Sequence, residues 1–353
     1  MVVHEAEPYN AEPPTSALAG QRLTGLDAFY SRNHGPVPSV DPDTWRLTVD
    51  GLVTHRLHLS LDQLRDSYPV QTLVATLQCA GNRRQGFLAF GDIPGEAPWG
   101  GAAVSTAEWT GMRLSDLLTD AEVHEAAKHV EFLAPDVAVG IRPAQPYGSS
   151  IPVEKARAAE VMLAWAMNGE ALPAAHGAPV RVVVPGYIGA RSVKWVERIT
   201  ALPDPSANYF QAVAYRLPAS NARRQTLTDG GVALTNIALN CDILRPDDGA
   251  VLGVGQTAVT GYALAGEGRE VARVELSIDE GRTWQQTELD DRSSPWAWRH
   301  WQSMVDLPVG NSQIIARAWD SSGATQPALA SELWNPKGYV NNSWARIIVT
   351  AEG

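Results

Sequence analysis

Residues 72–84, TLVATLQCAGNRR, constrain the local geometry of this chain more than any other stretch. The first half is apolar with interleaved threonine, which predicts a strand, and the Ala-Gly-Asn after Cys79 forces a turn. We therefore expect the Cys79 thiol at the end of a strand, with Arg83 and Arg84 close by. Guanidiniums favour a thiolate and are predicted to lower the pKa of this thiol. A thiolate is a soft anionic ligand that suits a metal. The alternative is that Cys79 is a small, buried apolar residue at the end of the strand.

Size and charge restrict the class of protein. A chain of 353 residues, 44% hydrophobic and 19% charged, is expected to fold as a packed globular protein with two domains. The net charge of −11 argues against nucleic acid or an anionic membrane as a partner. The sequence has no apolar run long enough to span a membrane, and its start lacks the basic region and the apolar core of an export signal. We therefore expect a cytoplasmic protein. A periplasmic location stays open if a signal has been removed. Cys79 is expected to be free, because a chain of this length does not need a disulfide.

A short loop carries three adjacent polar side chains. Arg32, Asn33 and His34 are followed by Gly35 and Pro36, which block a helix and predict a stiff loop. One charge and several hydrogen-bond donors on such a loop can clamp an anion. Ordinary turn chemistry is the alternative, and the residues alone leave both open.

An arginine lies within a strand that is predicted to be buried. Val180–Val184 is apolar except for Arg181, and a buried guanidinium without a partner is very costly. The counter-charge is either a salt bridge to Asp136 or Glu197 or a bound phosphate-like group, and both remain open. His176, shortly before this strand, is taken singly as a core histidine.

Hydrophobic period and capping residues predict the other elements of the N-terminal part. Residues 45–53 alternate as a strand, and Ser60 can cap a short helix after it. Five glycines between Gly91 and Gly111 predict irregular structure until a helix near Leu114–Leu118. Residues 147–169 predict a loop, a short helix with a serine cap and a second amphipathic segment.

Past about Ala219 the chain changes to short alternating runs such as VARVELSID, which Asp-Glu-Gly then turns back. Strands of this kind predict an immunoglobulin-like β-sandwich. We expect an irregular N-terminal arm over residues 1–24, a first domain over residues 25–222 and the sandwich over residues 223–353. Near the end, Lys337 lies in a proline-glycine loop beside Trp334, where a strand is not expected.

Several common chemical signatures are missing from the sequence. It has no Gly-rich dinucleotide or nucleoside-triphosphate loop. It also has no haem-attachment or multi-cysteine cluster, no nucleophile elbow and no zinc-protease helix. A haem on this chain is therefore not expected.

Six segments together resemble the sulfite oxidase family of molybdenum enzymes, in order and in approximate spacing. They are FYSRNHGPVP, LQCAGNRR, GGAAVSTAEWTGMRLSDLL, YGSSIPVEKA, MNGEALPAAHGAPVRVVVPG and GARSVKW. The trailing sandwich resembles the dimerisation domain of that family. The resemblance implies an α+β molybdopterin-binding domain of the sulfite oxidase type, followed by an all-β immunoglobulin-like sandwich domain.

The resemblance also implies a molybdenum-molybdopterin cofactor and assigns residues to it. Cys79 would be the one protein ligand to the metal. The residues implied to hold the pterin and its phosphate are Tyr30, Ser31, Arg32, Asn33, His34, Asp136, His176, Arg181, Arg191, Ser192, Val193 and Lys194. The residues implied for the substrate anion are Arg32, Arg84, Trp99 and Tyr215, with Lys337 where family members have an arginine.

The activity implied is oxidation of sulfite to sulfate by a homodimer, with electrons passed to an external acceptor such as cytochrome c or oxygen. Two alternatives stay open: a nitrate reductase-like oxyanion reductase of the same family, and a non-catalytic two-domain binding module with a decayed metal site. Two positions depart from the family. Lys337 cannot make the bidentate contact of an arginine, and Ala214 precedes Tyr215 where vertebrate enzymes have an aspartate.

Overall fold

The computed structural model describes residues 1–218, 231–266, 268–291 and 293–353. Within these ranges the chain forms an N-terminal α+β unit and a C-terminal β-sandwich, each with its own apolar core. The predicted boundary between Ala222 and Arg223 lies outside the described residues. No helix of the described ranges is long and apolar enough to cross a membrane.

The N-terminal unit is built mainly from strands with three short helices. In chain order they are β1 (Val2–Glu5), β2 (Asn10–Glu12), β3 (Leu47–Gly51), β4 (Leu57–Leu59), α1 (Leu61–Ser67), β5 (Val70–Gln78), β6 (Val104–Arg113), α2 (Leu114–Asp120), β7 (His129–Val137), β8 (Pro146–Pro152), α3 (Val153–Ala156), β9 (Met162–Met167), β10 (Glu170–Ala171), β11 (Arg181–Val183), β12 (Arg198–Leu202) and β13 (Arg216–Leu217), the last paired with β14 (Val232–Ala233).

Two five-stranded sheets enclose the core of this unit. One has the order β10-β9-β6-β5 with β11 also paired to β9, and the other has the order β4-β3-β12-β7-β8. Strand β5 ends at Gln78, so Cys79 begins the turn that follows, as the sequence predicted. Its backbone N–H donates to the Ala103 carbonyl at 2.9 Å, which ties this turn to the start of β6.

The local signals for α1 and α2 are confirmed. Ser60 caps α1 reciprocally: its hydroxyl accepts the Gln63 N–H at 3.1 Å, and the Gln63 side chain accepts the Ser60 N–H at 2.8 Å. This is a capping box, which satisfies donors that a helix N-terminus leaves unpaired.

Three predictions about local structure differ from the fold. Residues 1–24 are not irregular throughout, because β1 and β2 pair as an antiparallel ribbon. Strand β6 begins within the glycine-rich stretch, and Gly111 pairs so closely with β9 that an added Cβ would lie 1.9 Å from the Leu163 carbonyl oxygen. Residues 147–169 form β8, α3 and β9 rather than loop, capped helix and amphipathic segment, because β8 pairs with β7 and β9 pairs with β6. Pro152, not a serine, lies at the N-cap of α3.

The C-terminal unit is the predicted sandwich of two sheets. Its strands are β15 (Asn240–Arg245), β16 (Val251–Gly253), β17 (Gly255–Leu264), β18 (Val271–Ser277), β19 (Gln285–Gln286), β20 (Glu288–Leu289), β21 (Arg299–Leu307), β22 (Gly310–Asp320) and β23 (Ala345–Glu352). The sheets have the orders β15-β17-β21-β20 and β16-β23-β22-β18-β19. Alternate residues such as Val274 and Leu276 are buried between them, which is the packing of a sandwich.

Candidate active site

A cavity opens beside the end of β5, and most of the predicted site residues line it. Its volume is about 650 Å³ including the open mouth. The predicted residues that line it are Tyr30, Arg32, Asn33, His34, Cys79, Asp136, His176, Arg181, Ser192, Lys194 and Tyr215. The end of β5, the loop with Arg32, Asn33 and His34, and the strand with Arg181 therefore converge on one space.

Cys79 is free and lines this cavity, and its Sγ accepts the Gly81 N–H at 3.4 Å. Burial raises the pKa of the thiol, and the charges of Arg84 and Arg32 oppose this without overcoming it. The predicted lowering of the pKa is therefore wrong for the protein alone. One reason is that Arg83 points away, donating to the Ser343 carbonyl at 2.7 Å and pairing with Asp242 at 3.5 Å.

The loop with Arg32 and Asn33 is held by the N-terminal ribbon. The Asn10 side-chain oxygen accepts the Asn33 N–H at 2.6 Å and an Arg32 Nη1 hydrogen at 3.3 Å. The backbone of Ser31 pairs with Ala11 in both directions, at 2.8 and 3.0 Å, and Ser31 does not line the cavity. The ribbon thus places the Arg32 guanidinium at the cavity wall.

His34 lines the cavity among aromatic rings. Its Nε2 is 2.9 Å from the Tyr215 hydroxyl, and its ring is stacked 4.9 Å from Tyr147 and lies 4.4 Å from Phe210. Burial and the charges of Arg32 and Lys194 lower the pKa of His34 well below its usual range. Its imidazole is therefore neutral at neutral pH.

Buried Arg181 and half-buried Lys194 line the cavity without an ion-pair partner. Arg181 donates to the carbonyl oxygens of His176 at 2.9 Å and Ser192 at 3.1 Å, and Lys194 donates to the Ala175 carbonyl at 2.8 Å and to the Asn33 side chain. No carboxylate of the described residues pairs with either, so the alternative of a salt bridge from Arg181 to Asp136 or Glu197 is not realised. Burial lowers the pKa of Arg181 to about 10, which leaves it charged at neutral pH.

Asp136 and His176 complete the polar lining. The Asp136 Oδ1 atom is buried and has no hydrogen-bond partner among the described residues. Burial raises the pKa of Asp136 to about 6, against the opposing charge of Lys194. Burial, together with the charges of Lys194 and Arg181, lowers the pKa of His176 to about 3, so His176 is neutral. A buried acceptor without a donor is costly unless a ligand supplies one.

Arg191 and Val193 lie behind the cavity wall. Arg191 is fully buried and donates to the Leu234 carbonyl and the Ser149 hydroxyl, each at 2.7 Å. Val193 belongs to the main apolar core. Both therefore support the wall rather than line it.

Three of the residues predicted for the substrate anion also lie outside the lining. Arg84 is buried and donates to the carbonyl oxygens of Lys337 at 3.0 Å and Ala97 at 2.7 Å. The Lys337 ammonium is 2.9 Å from Glu96. Trp99 is fully buried, with the His4 ring edge-on at 4.9 Å. Arg32 and Tyr215 are thus the two predicted substrate residues that reach the cavity.

Sequence reasoning missed several lining residues. They are Phe29, Leu77, Ala80, Tyr147, Gly189, Ala190 and Trp195. All seven stand inside the segments that carried the family resemblance, which was a usable signal. Gly189 is needed for close approach, since an added Cβ would lie 2.6 Å from the Tyr30 hydroxyl.

Comparisons with known families agree with this geometry. Residues 34–210 match the family described as oxidoreductase molybdopterin binding domain, and residues 232–352 match the Mo-co oxidoreductase dimerisation domain. Together these two matches span the cavity-bearing unit and the sandwich.

Among curated proteins, sulfite oxidase of Gallus gallus is 41% identical over 98% of this chain and 76% of its own length. Mitochondrial sulfite oxidase of Homo sapiens is 39% identical, and this chain spans 65% of it. Sulfite oxidase of Arabidopsis thaliana is 35% identical over 98% of this chain and 93% of its own length. An inducible NADH nitrate reductase of Glycine max is 35% identical, with only 41% of its length covered.

Among solved structures, the sulfane dehydrogenase SoxCD from Paracoccus pantotrophus has a TM-score of 0.83 and 27% identity. The alignment covers 99% of this chain and 86% of that one. The arrangement of an α+β unit followed by a sandwich is therefore shared along nearly the whole chain.

Proposed function

The chain belongs to the sulfite oxidase family of molybdopterin-dependent oxidoreductases, and on that premise we propose that it oxidises sulfite to sulfate. The observation that carries the proposal is the cavity at Cys79. It joins a free thiol, the unpaired cations Arg181 and Lys194, and a buried Asp136 oxygen without a donor.

These groups fit a molybdopterin cofactor. A phosphate monoester is suited to the two unpaired cations, because charge-assisted hydrogen bonds to phosphate are strong. A pterin ring carries N–H groups, and one of them can donate to the Asp136 Oδ1 atom, which has no donor among the described residues. A metal already held by soft sulfur ligands accepts a further thiolate such as Cys79, and metal binding deprotonates a thiol whose pKa burial has raised.

We assign the roles accordingly. Cys79 binds the metal, and when bound the cofactor supplies an oxygen atom to the substrate and takes up an electron pair. Arg181 and Lys194 bind the phosphate, and Asp136 and His176 orient the pterin. The other residues proposed for the cofactor are Tyr30, Ser31, Arg32, Asn33, His34, Arg191, Ser192 and Val193, of which Ser31, Arg191 and Val193 act by holding the wall in place.

The substrate anion binds at Arg32 and Tyr215, with Arg84, Trp99 and Lys337 behind them. Arg32 offsets the charge of sulfite and orients it in the cavity. Preorganised donors of this kind are usually the largest protein contribution to the rate, because they need no reorganisation as charge develops. The aromatic rings around His34 exclude water from that wall.

We further propose that electrons leave to an external acceptor, either a small redox protein such as cytochrome c or oxygen. Homodimer formation through residues 232–352 follows from the match of that segment to a dimerisation domain. A cytoplasmic location stays a prediction.

Steady-state assays test the activity. The molybdenum-loaded protein should oxidise sulfite with ferricyanide, cytochrome c or oxygen as acceptor. Nitrate reduction with reduced viologen is the competing activity, favoured by the Glycine max relative. Nitrate turnover without sulfite turnover would overturn the proposal in favour of that reductase. Protein that stays free of molybdenum after expression in a cofactor-competent host would support the non-catalytic module with a decayed metal site.

A further inference from the structure

A carboxylate from the irregular segment before β6 holds two of the cations assigned to the substrate. Glu96 Oε1 lies 2.9 Å from the Lys337 ammonium, and its Oε2 lies 3.5 Å from Nη2 of Arg84. Its side chain is only 13% exposed, so the carboxylate is largely removed from water. Both oxygens of Glu96 are thus engaged by cations that stand outside the lining of the cavity.

This cluster of Glu96, Arg84 and Lys337 lies directly behind the cavity wall. The Arg84 guanidinium packs over Gly81, where an added Cβ would be 2.3 Å from Nη2. The Arg84 Cζ atom is 5.6 Å from the Tyr339 ring, which stacks on Tyr215 at 5.6 Å. The cluster is therefore one aromatic layer from the groups proposed to touch substrate.

The charge of Glu96 reaches the cavity itself. The carboxylate interacts electrostatically with Cys79, with Arg32 and with Tyr215, which all line the cavity. Arg32, like Arg181 and Lys194, lines the cavity without a carboxylate partner among the described residues. A dianion bound beside Arg32 gains from the guanidiniums but is repelled by Glu96, and a monoanion is repelled half as strongly.

We propose that Glu96 is a specificity-determining residue that weakens the binding of dianionic oxyanions, the product sulfate above all. The inference rests on the proposed function, since it concerns the same anion pocket. Glu96 neutralises part of the charge of Arg84 and Lys337 and so weakens the binding of any dianion. Sulfate is affected most, because it stays a dianion at neutral pH, whereas part of the sulfite is protonated to the monoanion. A purely structural role, holding the segment before β6, is the competing explanation.

The test is a calorimetric titration of inorganic sulfate into the molybdenum-loaded protein at fixed ionic strength. Glu96→Gln and Glu96→Ala should each bind sulfate about tenfold more tightly than the wild type, because a like charge near the pocket is gone. Nitrate, a monoanion, should gain only about threefold, since it carries half the charge. Glu96→Asp, which keeps the charge, should stay within about twofold of the wild type.

Glu275 supplies a matched control in the sandwich. It also bridges two cations, Arg273 at 3.2 Å and Arg317 at 2.8 Å, and its side chain is 13% exposed as well. Glu275→Gln should leave sulfate affinity unchanged. Unchanged sulfate affinity in both Glu96→Gln and Glu96→Ala would overturn the inference. A gain in sulfate affinity in Glu275→Gln as large as the gain in the Glu96 variants would also overturn it. Either of the two Glu96 variants suffices if the other fails to fold.

Failure of the proposed function has a different signature. A loaded wild-type protein that does not turn over sulfite contradicts the proposed function, whereas the sulfate titrations decide the role of Glu96 on their own.

Discussion

The hydroxyl of Tyr215 lies 2.9 Å from Nε2 of His34, in the cavity that Cys79 also lines. Burial and the charges of Arg32 and Lys194 keep His34 neutral by lowering its pKa. The contact therefore fixes the Tyr215 oxygen at the cavity wall. Because His34 is neutral, it adds no positive charge to that of Arg32. A hydroxyl fixed beside Arg32 is suited to bind an oxyanion.

Tyr215→Phe should lower kcat/KM for sulfite by about tenfold to a hundredfold. A hydrogen bond to a charged group contributes about 1.5–3 kcal/mol, and the phenyl ring keeps the stacking on Tyr339. Steady-state kinetics measure the change. Tyr209→Phe is the control, because Tyr209 does not line the cavity; equal kinetics in both variants would remove Tyr215 from the substrate site.

Asn10 should act as a positioning residue for Arg32. Asn10→Ser should raise the KM for sulfite severalfold with a smaller change in kcat, because the Asn10 oxygen accepts from Arg32 and from the Asn33 backbone. Asn10→Asp should raise the KM further, since a carboxylate beside Arg32 competes with the substrate for its charge. If the aspartate variant binds sulfite as well as the serine variant does, Arg32 does not bind the anion.

Asp136 should make the stability of the cofactor-free protein depend on pH. Burial raises its pKa from 3.8 to about 6, so the folded state holds this proton more tightly than the unfolded chain does. The stabilising contribution is complete below pH 3.8 and is lost as the pH rises through about 6. The cost of ionising Asp136 at pH 8 is roughly 3 kcal/mol.

Asp136→Asn removes that dependence and provides the measurement. Denaturant unfolding should show the variant gaining free energy of unfolding relative to the wild type between pH 4.5 and pH 8. Exposed Asp204→Asn should show no such gain. A constant difference between wild type and Asp136→Asn across this range would mean that Asp136 is not buried as an unpaired acid.

Local signals in the sequence were enough to predict the strand that carries the thiol and the capped helix α1. β5 is apolar with interleaved threonine and has a turn directly after it, and Ser60 and Gln63 form a capping box. Such signals depend on neighbours in sequence only, and they placed Cys79 at the end of a strand.

Tertiary contacts decided what the sequence could not predict. Strand β9 forms because it pairs with β6, which is distant along the chain, and β8 forms because it pairs with the preceding strand β7. This pairing overrides the local pattern of residues 147–169. Arg83 and Arg84 are neighbours in sequence, yet one points to the sandwich and the other to the cavity wall. No sequence pattern pointed to Glu96, because its role depends on Lys337, which is distant along the chain. Folding brings the Lys337 ammonium to 2.9 Å from Oε1 of Glu96.

The most direct test of the account measures molybdenum content and sulfite turnover in Cys79→Ser, with Cys241→Ser as the control. Cys241 is the other free and buried cysteine, and it lies in β15 of the sandwich. We expect sulfite-dependent reduction of ferricyanide to be lost in Cys79→Ser, with an unchanged unfolding temperature, while Cys241→Ser keeps both molybdenum and turnover. Sulfite turnover at the wild-type rate in Cys79→Ser would contradict the claim that this thiol binds the metal.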